Sequence, residues 1–309
     1  MILSALRLLG VIPIGAICIY RLVTLALNTK SWQILLPPNV GPHFWTLLRF
    51  RWIGESVNTL LPVAQVGGDL ARASLVAARG VPRPEAAATM IADFATAIVT
   101  QMIFGLAGAV ALFHLLPPGQ GRHALWGEAI AGVVLVTVGV VALSILLHMG
   151  AARVASRLLA GSRAHERLGK LAGSLTRLDE AVMALLARER ALAAAFAWHL
   201  VGWASQVGET WLLFWMFSAP VPFRVALAIE SMSTAARGAA FFVPSGVGVQ
   251  EVTILSMARL LGVDMEAAIA LGIAKRAREL ILGVPGLLAW VIDQKWWRQR
   301  KVVGGTTNE

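Results

Sequence analysis

Asp93 stands about nine residues into an uninterrupted apolar stretch. A carboxylate at that depth in a bilayer costs about 2.5–3.5 kcal/mol, so it needs a partner or a water-filled cavity. A second concentration of charge, KRAREL at 275–280, supplies Lys275, Arg276, Arg278 and Glu279 inside another apolar stretch. Asp93 and Lys275 are 182 residues apart, and the same offset carries Glu55 onto Arg237. Opposite charges at equivalent positions are thus placed to meet about a pseudo-twofold axis. Two readings compete. Asp93, Lys275, Arg276 and Arg278 either line a polar path for a lipid headgroup, the basic side chains favouring phosphate or another anion, or form an ion-pair cluster that ties helices together.

Asp69 and Arg72 follow Gly67 and Gly68 three residues apart, which suits an acid in the first turn of a helix with an arginine on the same face. A structural cap and a binding site account for this spacing equally well. His199, Gln206 and Glu209, spaced by seven and three, share one helix face and read as packing hydrogen bonds. Catalytic signatures are missing: there is no HExxH, no GxSxG and no paired-carboxylate metal motif, and GVGVQE lacks the strand and third glycine of a dinucleotide loop. A weak catalytic reading would need Asp69 and Glu251 to meet at one site. The expectation is a protein that is not an enzyme, with no catalytic residue, cofactor or metal.

The elements that must position these groups are set by composition. Of 309 residues, 57% are hydrophobic and 14% are charged, well below the charged share of a soluble domain. Five segments, about 8–28, 86–115, 126–149, 191–217 and 266–292, are apolar and long enough to span a bilayer. Two more, 41–80 and 221–262, are interrupted by LLPVAQVGGDLARA and FFVPSGVGVQE. Each predicts a helix, a break and a second short helix, the breaks falling at Pro62, Gly67 and Gly68 and at Pro244, Gly246 and Gly248. The net charge of +10 concentrates in a basic loop over 150–190 and in KWWRQRK at 295–301, which places both inside by the positive-inside rule. The C-terminus is then cytoplasmic and the N-terminus outside. The first 27 residues read as a retained membrane helix and not a signal peptide. Nucleic acid is not an expected partner, because the basic residues border apolar runs. Trp32, Trp126, Trp290, Trp296 and Trp297 lie near predicted helix ends, as interfacial markers do, whereas Trp198, Trp203, Trp211 and Trp215 read as packing residues.

Shifting the chain by 182 residues superposes Pro62 on Pro244, Asp69 on Glu251, Gly80 on Gly262 and Val81 on Val263 without a gap. An odd number of crossings separates the two units, so they are predicted to be inverted. The expected fold is therefore an all-α polytopic membrane protein with about five full transmembrane helices and two broken hairpins. Repeat A covers about 1–122 and repeat B about 126–304 in one membrane domain, with a disordered tail at 305–309. The 126–149 helix has no mate in repeat A, which asks for a further helix before residue 1.

The segments GESVNTLLPVAQVGGDLARA at 54–73, FFVPSGVGVQE at 241–251 and KRARELILGVPGLLAW at 275–290 resemble the hopanoid-biosynthesis-associated HpnL family. That family lies within the flippase-like group that shares the membrane domain of lysylphosphatidylglycerol synthase. The resemblance implies a bacterial inner-membrane protein linked to hopanoid or other lipid handling. With the inverted, broken hairpins, the expected function is flippase-like movement of a lipid, a hopanoid or an anionic phospholipid, between leaflets, with membrane lipids as partners. The competing expectation is a non-catalytic scaffold for lipid-biosynthesis enzymes, docked through the 150–190 loop. The resemblance also implies one more N-terminal helix, and, with nothing after residue 304 able to fold, no aminoacyl transfer. The path residues expected to matter are Asp69, Arg72, Asp93, Arg237, Glu251, Lys275, Arg276 and Arg278.

Overall fold

The computed structural model describes residues 7–38, 40–61, 67–116, 169–240 and 247–304. Among them are nine helices and no strand: α1 (Val11–Leu35), α2 (Phe44–Leu60), α3 (Gly67–Ala77), α4 (Arg83–Leu115), α5 (Gly169–Leu186), α6 (Glu189–Met216), α7 (Phe223–Ala239), α8 (Val249–Leu260) and α9 (Met265–Gly304). The expected 126–149 segment, Pro62, Pro244, Gly246 and the 305–309 tail lie outside the described residues.

Local chemistry accounts for the boundaries. Pro82 and Pro84 set the start of α4, and Pro222 precedes α7, at positions where a missing amide proton costs nothing. At α8 the Glu251 carboxylate turns back to accept from the Gly248 amide at 2.9 Å. Gly80 (φ 99°) and Gly262 (φ 68°) occupy the left-handed region in the turns before α4 and α9, where a side chain would be strained. In both hairpins the predicted pair of helices is present, α2 with the short α3 and α7 with the short α8, and the residues between them, 62–66 and 241–246, lie outside those described. The N-terminal segment continues to Leu35, beyond the expected 28, and the polar 150–190 stretch contains α5 and is not all loop.

Among the described residues, α1 and α4 are long and apolar enough to cross a membrane. Helices α6 and α9 have the length, 28 and 40 residues, but carry the buried polar groups that lower their hydropathy. Side chains such as Leu22, Ile103, Val110, Leu280, Val284 and Leu288 remain exposed along the long helices, an apolar outer face of the kind that contacts lipid.

Helices α1 and α6 form the central pair and run antiparallel. Thr24 Oγ1 is 3.0 Å from Ser205 Oγ, and Ser31 donates to the Ala195 carbonyl at 3.0 Å. Helix α4 packs on α7, and α9 on α2, through small residues that bring the backbones close: Gly105 and Gly108 against Ala235 and Ser231, Gly283 and Gly286 against Leu60 and Ser56. Pro285 interrupts the α9 ladder there, and Trp52 Nε1 donates to the Leu282 carbonyl at 2.8 Å. Adding 182 to the starts of α3 and α4 gives the starts of α8 and α9. Exchanging helices by that offset turns α4–α7 into α9–α2, α2–α3 into α7–α8 and α3–α4 into α8–α9.

The tightest approach folds α3 onto α2. A Cβ on Gly68 would lie 2.0 Å from the Gly54 carbonyl oxygen, a backbone atom that cannot step aside. Gly68→Ala is therefore expected to destabilise by about 1–3 kcal/mol through overpacking. Gly173→Ala, where the added methyl meets nothing, is the control and should leave the melting temperature in detergent unchanged or raised.

Candidate functional site

The interior charges resolve into three sets and one pair. In the first set, Asp93 on α4 is 3% exposed. Its Oδ2 accepts from Arg51 of α2 and Arg72 of α3, each at 2.7 Å, and its Oδ1 lies 3.0 Å from His199 Nε2 of α6. Arg72 reaches back to Asp69 at 2.8 Å, and its guanidinium lies 4.3 Å from the Trp32 ring centroid. Four helices converge on one carboxylate, and two acids balance two arginines.

The second set is built on α6, α7 and α9. Lys275, also 3% exposed, donates to Glu230 at 2.6 Å and lies 3.9 Å from Glu209, while Arg278 pairs with Glu209. Thr210 donates its hydroxyl to Glu230. Again two acids face two bases, all buried.

The third set reaches the surface. Arg276 holds Glu251 at 2.7 Å and Glu279 at 2.7 Å, and Arg237 of α7 donates to Glu279 and, at 3.0 Å, to Gln250. The side chains of Arg276 and Glu251 are 25% and 31% exposed. They line a small cleft with Gln250, Gly272 and Glu279, and Lys275 is part of its wall. Arg21 and Glu55, joined at 2.6 Å, add one further charge of each sign.

The structure thus places every expected path residue inside the helical assembly, in separate groups. Asp69, Arg72 and Asp93 come together; Lys275 and Arg278 form a second group; Arg237, Glu251 and Arg276 form a third. Asp93 and Lys275 share no ion pair, and neither do Glu55 and Arg237, so the expected meeting of equivalent charges is corrected. Each side chain instead meets a local partner of opposite sign, which neutralises it at a shorter distance. Asp69 and Glu251 are likewise in different sets. The apparent basic excess of KRAREL, together with Arg237, is cancelled by Glu209, Glu230 and Glu251.

Sequence reasoning missed Arg51 and Glu230 entirely. Their signal is the one that identified Asp93, a charge within a hairpin helix otherwise built to be buried. His199 and Glu209 bond as expected of one helix face, but to different charge sets. Trp32 is fully buried and not interfacial; Trp215 is exposed, Trp211 is partly exposed with its ring edge-on to Phe223 and its indole N–H on the Val221 carbonyl, and Trp203 stacks on Phe104. Among the described residues no three His, Cys, Asp or Glu side chains converge as metal ligands would.

No curated protein and no solved structure matches the chain. The family described as "Lysylphosphatidylglycerol synthase TM region" matches residues 2–286, which include every member of the charge sets. With its apolar exterior and charged interior, this chain, helical among its described residues, is a membrane protein of lipid-related function, and it belongs to the lysylphosphatidylglycerol synthase transmembrane-region family.

Proposed function

We propose that this protein moves a polar lipid between the leaflets of a bacterial inner membrane without catalysing a reaction on it. The observation that carries the reading is the placement of Asp93 and Lys275. Each sits ten residues into its helix, α4 or α9, hence about 15 Å from the helix start and near the middle of a bilayer core of about 30 Å. Charge held at that depth is expensive and is a pointer to a substrate pathway.

The proposal includes inverted repeats. The antiparallel α1–α6 pair, the shared 182-residue offset of the helix starts and the exchangeable packing pairs support it, as do broken hairpins in corresponding positions, the arrangement transporters use to alternate access. The C-terminus is then cytoplasmic and the N-terminus outside, following the distribution of Lys and Arg. The cargo is a hopanoid or a phospholipid, and the hopanoid association follows from the HpnL resemblance.

The test is the total amount and leaflet distribution of hopanoids and phospholipids in cells with and without the gene. Unchanged totals with a shifted distribution are expected. A fall in total product with its distribution preserved would overturn translocation in favour of a scaffold for biosynthetic enzymes.

A further inference from the structure

The third charge set carries an inference about the headgroup, one that rests on the translocation reading. We infer that the cleft between α8 and α9 receives a zwitterionic phospholipid headgroup, its phosphate exchanged onto Arg237 and Arg276 and its ammonium onto Glu251 and Glu279.

Arg276 is bound on two sides, by Glu251 and Glu279, and Arg237 shares Glu279. Lys275, in the wall of the cleft, is already matched by Glu230, with Glu209 at 3.9 Å. Arg21 and Glu55, within electrostatic reach of Glu279, contribute no net charge. An anionic headgroup entering here gains two guanidinium groups but meets two carboxylates, and leaves the site with an uncompensated charge away from bulk water. A cationic headgroup meets the converse problem. A headgroup carrying one charge of each sign exchanges partners with the resident pairs and keeps the cleft neutral at every stage.

Accessibility favours this set over the others. Arg276 and Glu251 are a quarter to a third exposed, whereas Asp93, Arg51, Arg72 and the whole set around Lys275 are each less than a tenth exposed. Gly272 lies against the Glu251 side chain, where even an added methyl would make a 3.6 Å contact.

The experiment uses the full chain in vesicles, with fluorescent phosphatidylethanolamine, phosphatidylglycerol, a diacyl trimethylammonium lipid and an uncharged glycolipid as separate probes. Phosphatidylethanolamine is expected to cross at least about tenfold faster than the others. Glu251→Gln, which leaves the cleft one positive charge in excess, should move the preference toward phosphatidylglycerol, and Arg276→Gln toward the cationic lipid. Both side chains are partly exposed, and folding is checked by size-exclusion chromatography. Equal movement of all four probes, or faster movement of any probe other than phosphatidylethanolamine by the wild-type protein, overturns the headgroup assignment while leaving translocation standing. No movement of any probe overturns the headgroup assignment together with phospholipid as the cargo, and leaves hopanoid movement to the leaflet distribution in cells.

Discussion

Asp93→Asn is expected to cost about 3–5 kcal/mol, enough to remove most folded protein from the membrane fraction of a chain with ordinary marginal stability. The reason lies in the partners. Arg51 and Arg72 are both buried and both donate to the same carboxylate oxygen. Arg72 keeps Asp69 when Asp93 is neutralised, so Arg51 becomes the unmatched cation. Combining Asp93→Asn with Arg51→Met removes that cation and should restore a substantial part of the folded yield. Arg49→Gln provides the contrast, because Arg49 is 43% exposed in its pair with Asp293 and is expected to cost about 1 kcal/mol or less. The measurement is monodisperse protein after detergent extraction, followed by thermal unfolding. A normal yield and melting temperature for Asp93→Asn would show that the carboxylate is not what holds the two arginines.

This expectation differs from the one that Asp93 invites as an isolated charge in an apolar run. Its depth is legible in the sequence, and so is its need for a partner. The identity of that partner is not, because it comes from three other helices separated from it by as many as 106 residues. Helix starts, glycine turns and the broken hairpins depend on neighbours within a few residues and are readable for that reason. Gly80 and Gly262 superpose under the same offset as Pro62 and Pro244, and the two described glycines fulfil the same backbone role. Ion pairing depends on which faces meet after folding. The 182-residue offset puts Asp93 and Lys275 at the same distance from the starts of α4 and α9, yet that correspondence carries no information about contact. Trp32 fails as an interfacial marker for a related reason: position near a helix end does not say whether another element covers it, and Arg72 of α3 does.

The charge exchange Asp93→Lys with Lys275→Asp gives the sharpest test of this separation. Were the two residues partners, the exchange would preserve their attraction and rescue either single variant. In the observed arrangement a lysine at 93 faces Arg51 and Arg72, while an aspartate at 275 faces Glu209 and Glu230. Each set shifts by two charges in its unfavourable direction, inside a medium that screens poorly. The double variant is therefore expected to accumulate less folded protein than either single one, with losses of about 3–5 kcal/mol or more at each site. The matched exchange within one set, Glu230→Lys with Lys275→Glu, conserves local charge across the 2.6 Å pair and should recover part of what Lys275→Glu alone loses. Rescue by the long-range exchange and none by the local one would mean that the two halves neutralise each other across the molecule. The opposite pattern follows if each half balances its own interior charge, which is the condition a neutral pathway between two access states requires.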